Sequence, residues 1–452
     1  MATTSSSTTL SAGAVDILNA IRNSASANYR DYVPAAGDYS DIREIGAIIM
    51  DYPALQNEFL NALINRIGRV ILSSKQYNNP WSMFKKGTLE YGETIEEVFV
   101  ELAKPFEYDP AVAEDELFKR QIPDVRAAFH VINYRKFYKT TVQRETLRQA
   151  FLSADGIANL VTKIIDSLYT GANYDEFQTM KYMLAKHIAN GELYPVEVTT
   201  PISDNASSIV KSIKNTSNMF TFMSSDYNRA GVHTYSNKDD QFIVINSEFE
   251  ATMDVDVLAA AFNMDKAEFA GHRVLVDNFG SLDTDRLDEL FADNEWYETI
   301  NDSVLEALNT IPAVLVDRNW FMIVDNMFTL RDQENEQGLY WNYFYHVWKT
   351  FSASPFANAA VFVAGTPSVT AVTISPSSAS VTNGQTVLLT ATVTTKNFAP
   401  KTVTWSSSNE SIATVNIYGE VTAVEGASGS VTITATSTYD TTVSASATIT
   451  VS

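Results

Sequence analysis

Residues 338–365, GLYWNYFYHVWKTFSASPFANAAVFVAG, restrict the fold more than any other part of this chain. Tyr340, Trp341, Tyr343, Phe344, Tyr345, Trp348 and Phe351 occupy both alternating sets of positions, so the stretch reads as a core strand covered on both faces. After Pro355 the run AVFVA predicts a second short strand. Beyond Gly365 the sequence turns abruptly to Ser, Thr and Val, so this stretch closes one domain and leads into another.

A chain of 452 residues, 45% of them hydrophobic, exceeds what one hydrophobic core usually supports, so at least two domains are expected. It has no cysteine, which excludes a disulfide framework, a thiolate metal site and a cysteine nucleophile. The N-terminus, MATTSSSTTLSAGAV, has neither the basic region nor the apolar block of a signal peptide. No segment approaches the ~18 consecutive apolar residues of a membrane span, so a soluble chain without a membrane partner is expected. The formal charge of −22 argues against tight nonspecific nucleic-acid binding, which depends on neutralising phosphates. From residue 367 onward only Lys396 and Lys401 stand against Glu410, Glu420, Glu425 and Asp440, so the charge resides almost entirely in the first domain.

In order, residues 1–13 form a Ser/Thr-rich leader. Residues 15–23 suit a short amphipathic helix, and residues 55–71 a better one, with Leu55, Phe59, Leu63, Ile67 and Val70 at helical spacing. Residues 77–121 are rich in Glu and Asp, and the following YRKFYKTTVQRETLR carries Arg135, Lys136, Lys139, Arg144 and Arg148. The overall charge weakens a nucleic-acid reading of that basic stretch, leaving a solvated face or contact between an acidic and a basic stretch of two subunits. Residues 144–169 give the longest helical signal. Gly171 is expected to interrupt it before a second helix over 174–190 that stops at Gly191. A short helix near 208–214, a strand at 242–245, a helix at 255–262, a helical turn at 265–269 and a strand at 273–276 follow. Residues 281–309 form an acidic helical excursion, then IPAVLVD and NWFMIVDNM supply two more strands, so the main body is α+β.

Residues 367–452 alternate Val with Ser and Thr between turn signals at Asn383-Gly384, Tyr418-Gly419 and Ser428-Gly429, which calls for about seven short strands in a β-sandwich. Trp405 is expected between its sheets. The segments VTISPSSASVTNGQTVLLTATV, VTWSSSNESIATVNIYGEVTAVEGASGSVTITAT and SASATITV resemble a bacterial Ig-like domain of group 2. That resemblance implies a binding or decorating surface.

The chain carries no Walker-type, HExxH, GxSxG or dinucleotide-binding motif. His130, His187, His233, His272 and His346 are scattered and never at metal-ligand spacing. The MDVDV and DTDRLD runs lack the glycine and terminal glutamate of an EF-hand, so helix capping and a solvated acidic face explain them better than calcium. No catalytic residue, metal or cofactor is expected, and the chain does not read as an enzyme.

The main body resembles the major capsid protein of small short-tailed phages, the podoviruses. The resemblance is carried by VDILNAIRNS, INRIG, FKKG followed by TIEE, DVDVLAAAFNM with its downstream VLVDNF, DRNWFMIVDNM, and above all GLYWNYFYHVW through PFANAAVFVAG. It implies the tailed-phage capsid fold followed by an all-β Ig-like sandwich. Residues 1–75 would form an N-terminal arm and first helices, and 76–366 the shell domain. Within the latter, the extended loop would fall at about 77–121, the spine helix at about 144–169 and the axial domain at about 196–332. The acidic excursion at 282–308 is longer than this resemblance leads one to expect. Since the extended loop of that fold lies over a neighbouring subunit, the implied intersubunit contacts are Lys85, Lys86, Glu93, Glu96, Glu97, Arg135, Lys136, Lys139 and Arg144. The implied partners are further copies in hexamers and pentamers, a scaffolding protein, a portal or connector, and packaged double-stranded DNA held weakly. Through the Ig-like domain, host-surface glycan joins them. The implied location is the virion capsid, assembled in the host cytoplasm into an icosahedral or prolate head. The alternative readings are a bacterial surface or adhesion protein that binds glycan through its Ig-like domain, and a hydrolase with an appended carbohydrate-binding module.

Overall fold

A computed structural model describes residues 14–38, 40–70, 77–89, 94–106, 120–152, 156–252, 272–292, 294 and 296–452. The expected helix at 255–262, the helical turn at 265–269 and most of the acidic loop at 107–119 lie outside the described residues. The chain divides into two compact units.

The first unit contains the segments up to Thr94, Val131–Gln178 and Ile323–Phe351. Its N-terminal part is helical: Ala14–Ser24, Ala27–Tyr32, Asp41–Asp51 and Pro53–Val70. Ile17, Leu18 and Ile21 on one helix, and Ile42, Ile45 and Ile49 on another, recur at helical spacing and are buried together. Ser26 caps the second helix by accepting from the Tyr29 N–H, and its own hydroxyl donates to Glu58 at 2.9 Å. Gly46 is required by packing: a Cβ there would lie 2.4 Å from the Cβ of Phe151, whose ring meets that of Phe59 at a tilt with centroids 5.3 Å apart.

Beside these helices stands a four-stranded sheet in the order Lys85–Thr88, Phe321–Asn335, Tyr340–Ala353, Tyr134–Gln143. The aromatic strand therefore lies inside a sheet, antiparallel to Tyr134–Gln143, with Trp341 against Val142 and Lys349 against Tyr134. Trp341, Tyr343, Val347 and Phe351, at alternate positions, are buried, whereas Phe344, His346 and Trp348 on the opposite face are only half-covered, so the strand is core on one face and not fully shielded on the other.

The longest helix differs from expectation in place and continuity. Residues Arg144–Ala150 form a short helix of their own, and the spine runs unbroken from Gly156 to Ala189, about 51 Å at 1.5 Å per residue. Gly171 does not interrupt it. A glycine inside a helix costs only about 1 kcal/mol, and buried Leu168, Ala172, Met180 and Leu184 on either side hold the helix together.

Within the first unit a charged cluster lies inside the fold. Lys349 reaches Glu176 of the spine helix and Asp325 (3.1 Å). Lys85 reaches Asp325 (2.5 Å) and Glu176 (3.2 Å), and the Asn79 amide donates to Glu176 at 2.6 Å. Burial, with Lys85 beside it, pushes the Lys349 amine down to about 6.

The second unit holds a five-stranded sheet in the order Tyr194–Val198, Ala359–Ala364, Ala313–Asp317, Gln241–Asn246, Arg273–Val276. Its three middle strands are buried almost without a break, which fits their continuous apolar runs. The helix Ala206–Phe220, longer than the sequence suggested, covers one face with Ile209, Ile213 and Phe220. The acidic excursion forms two eight-residue helices, Thr284–Phe291 and Asp302–Asn309, each capped by the residue before it.

The C-terminal module is all strand, in nine short pieces from Ser368–Ser375 to Ser444–Val451. Trp405 packs against both of its apolar clusters.

Removing the Lys349 amine takes a hydrogen-bond donor from Glu176 and Asp325 and leaves Lys85 as their cation. Lys349→Ala is expected to destabilise the first unit by about 1–3 kcal/mol. Urea unfolding of dilute protein checks this: the transition of that unit shifts to lower urea while the Ig-like transition does not move.

Candidate intersubunit surfaces

Strand alternation sorts the expected basic residues. Along Tyr134–Gln143, Tyr134, Lys136, Tyr138 and Val142 share one face, with Tyr134 and Val142 buried, while Arg135, Phe137, Lys139 and Thr141 are exposed on the other. On that outer face the Arg135 guanidinium lies over the Trp348 ring at 5.0 Å and the Lys139 ammonium over Phe344 at 5.7 Å. Phe137, 57% exposed, sits between the Phe344 and His346 rings at 5.9 and 5.6 Å. Arg135 and Lys139 thus belong to one cation and aromatic ladder, whereas Lys136 does not.

The other expected contacts divide. Lys85 is committed to the internal charged cluster, so it is no surface contact within the chain as folded, while Lys86 is exposed. Glu93 lies outside the described residues. Arg144 is half-buried and donates to the Met50 carbonyl at 3.2 Å.

Glu96 and Glu97 stand on opposite faces of a two-stranded hairpin, Thr94–Val100 with Val125–Val131. The face carrying Glu97 is tied down within the second unit. Glu97 accepts from the Ser354 hydroxyl at 2.8 Å and meets the His130 ring at 3.2 Å, and His130 also meets Ser352 at 2.7 Å. Phe99 stacks on Phe356 at 5.5 Å, Arg126 donates to the Ala230 carbonyl at 2.5 Å, and Glu101 pairs with His233 at 2.7 Å. The opposite face presents Glu96 with Val98, Val100, Val125 and Phe129, all exposed, Phe129 by 64%. Alternation of TIEEVFV carries this two-faced pattern in the sequence. Burial alone reveals that its outer face is apolar and uncovered.

The Ig-like module is seated on the end of the spine helix. Gly191 takes φ +69°, and its N–H donates to the Ile188 carbonyl at 2.9 Å, ending the helix. A Cβ at Gly191 would lie 2.4 Å from the Ala399 carbonyl oxygen of the module. Lys401 donates to the Ala189 carbonyl at 2.9 Å, answering a terminal acceptor that has no partner inside the helix. Beside this seat, Glu192 meets His187 and accepts from Arg229 at 2.8 Å. Burial pushes the Glu192 carboxyl up, but the hydrogen bond and charge of His187, with Arg229, outweigh it and hold it at about 2. His187 is thus a partner in this cluster.

Among the described residues no group of three or more His, Asp or Glu is placed to hold a metal ion, and no helix is long and apolar enough to cross a membrane.

Comparison with known proteins bears on these surfaces. Residues 18–363 match the family of Phi29-like phage major capsid proteins, and residues 368–451 match the bacterial Ig-like domain, group 2. The chain is 36% identical over 428 residues to the major capsid protein of Bacillus phage B103, covering 93% of this chain and 89% of that one. It is also 36% identical over 404 residues to that of Bacillus phage PZA, covering 88% and 84%. Its fold is similar to that in the capsid structure of Staphylococcus phage Andhra, with a TM-score of 0.51 at 15% identity over 65% of this chain and 86% of that chain.

The depressed Glu192 carboxyl has a signed consequence. Its folded value lies below its ordinary one, so its stabilisation is complete above about pH 4.5 and is lost as pH falls toward about 2. Glu192→Gln should lower stability at pH 7 by on the order of 1–3 kcal/mol and flatten the acid limb of thermal melts within that window.

Proposed function

Because this chain belongs to the family of Phi29-like phage major capsid proteins, we propose that its copies join by laying the apolar outer face of the hairpin of one over the cation and aromatic sheet face of the next. The protein is a phage major capsid protein, a structural component of the multi-subunit shell of the virion. The observation that carries the finer reading is the two-faced hairpin: one face held by Glu97, Glu101, Arg126 and Phe99, the other apolar and exposed. Val98, Val100 and Phe129 supply apolar area, and Glu96 supplies a carboxylate for the Arg135 or Lys139 of the neighbour. Arg135, Lys139, Glu96 and Lys86 are the contact residues of this reading, and Glu97 and Lys85 hold the surfaces in place.

The head so formed encloses double-stranded DNA. A net charge of −22 keeps the shell from holding the duplex tightly. Assembly in the host cytoplasm with a scaffolding protein and a portal completes the scheme. The Ig-like module reinforces the capsid surface. Its seat on Gly191 and Lys401 supports a fixed brace. Ile417 and Tyr418, nearly 80% exposed on one of its turns, offer a ring and an aliphatic chain to a host-surface glycan.

Val98→Asp with Phe129→Asp tests the hairpin contact. Both positions are exposed, so the thermal melt of dilute protein should stay in place. Negative-stain electron microscopy of protein expressed with its scaffold should show closed shells for the parent and few or none for the variant. Shells of normal yield from the variant would remove the hairpin face from the interface.

A further inference from the structure

A cleft of about 410 Å³ lies in the first unit between the helices Asp41–Asp51 and Arg144–Ala150. Arg43 lines it from one helix, Arg144 and Arg148 from the other, with Met50 and Leu152 as apolar wall. Leu152 is 60% exposed. None of the three arginines forms an ion pair among the described residues, although the chain as a whole is strongly acidic. Asp51 and Glu145 at the same cleft would repel a continuous polyanion such as a nucleic-acid backbone, so a protein segment with discrete carboxylates suits it better.

The acidic excursion supplies such a segment. On the helix Thr284–Phe291, Asp285 and Glu289 are exposed one turn apart and have no ion-pair partner among the described residues. Asp288, between them, is occupied by the hydroxyls of Tyr297 and Thr299. Trp296, just beyond the helix, is 68% exposed, the largest uncovered ring among the described residues. Arg144 and Arg148 are likewise one turn apart, so two antiparallel helices would set Arg148 opposite Asp285 and Arg144 opposite Glu289, each pair separated from the next by about 6 Å of axial rise.

We propose that the acidic helix Thr284–Phe291 of one copy seats in the arginine cleft of another, with Asp285 and Glu289 on Arg148 and Arg144 and Trp296 against Met50, which lies beside Arg144. The contact is between two different patches, hence head-to-tail, the type that closes into rings of subunits. It gives a task to an acidic stretch that the internal packing of the second unit does not explain. It rests on the reading of this chain as a shell-forming protein.

The absence of cysteine permits a direct test. Protein carrying only Arg148→Cys is co-assembled with protein carrying only Asp285→Cys and treated with a bismaleimide reaching about 8–10 Å, the separation of packed helices. A cross-linked dimer containing one of each variant is expected, and little product from either variant alone. In a second arm, Arg148→Glu should reduce shell yield at least about tenfold, and adding Asp285→Arg to the same chain should restore most of it. Both positions are exposed, so circular dichroism melts should match the parent. No mixed dimer, or a double variant no better than Arg148→Glu, overturns the contact. Shells that form normally alongside that negative result would leave the capsid reading standing, whereas parent protein and scaffold that yield no shells would count against the capsid reading itself.

Discussion

The first unit is organised around a buried balance of charge. Taking an ammonium or carboxylate out of water costs several kcal/mol even after relaxation, and neighbouring opposite charges offset that cost only with close geometry. Lys349, Glu176, Asp325 and Lys85 come from the aromatic strand, the spine helix, a neighbouring strand and the edge strand that pairs with it. Each of these elements must therefore hold its register for the others to remain paired. Next to Glu176 on the spine helix, Asp175 extends the same discipline by accepting from the Tyr138 hydroxyl at 2.7 Å. A shell subunit gains from such a cluster because its sheet cannot slide under load without unpairing several charges at once.

A subunit so braced can present faces that are not satisfied internally. The hairpin is the clearest instance: polar ties anchor one side while valines and a phenylalanine remain open on the other. Monomeric proteins seldom leave apolar residues aligned on one exposed strand face, since such edges and faces invite association. In a capsid protein the association is the function. The cation and aromatic ladder of the sheet is a second exposed face, where Arg135 and Lys139 lie across rings and place charge over aromatic surface.

Parts of this were legible in the sequence because they rest on periodicity and local chemistry. The aromatic strand, the strands near Phe242, Arg273 and Ala313, the helix stop at Gly191 and the all-strand C-terminal module follow from alternation, apolar runs and turn residues. The spine helix departs from its local pattern because Gly171 reads locally as a break, and only packing on both sides carries the helix through it. Of the expected contact residues, charge and position alone could not separate Lys85, which is internal, from Arg135 and Lys139, which are exposed. The arginines of the cleft were visible one by one, but Arg43 and Arg148 are more than a hundred residues apart and nothing local joins them.

Local pattern set the type of many segments, the acidic character of the first domain and the resemblance that points to the family, because these depend on residues near one another in the chain. Which charges are buried, which faces remain open and where the Ig-like module meets the end of the spine helix came from the folded arrangement. Those outcomes depend on residues far apart in sequence competing for water, and the winner is set by which groups the fold brings within hydrogen-bonding distance and removes from solvent.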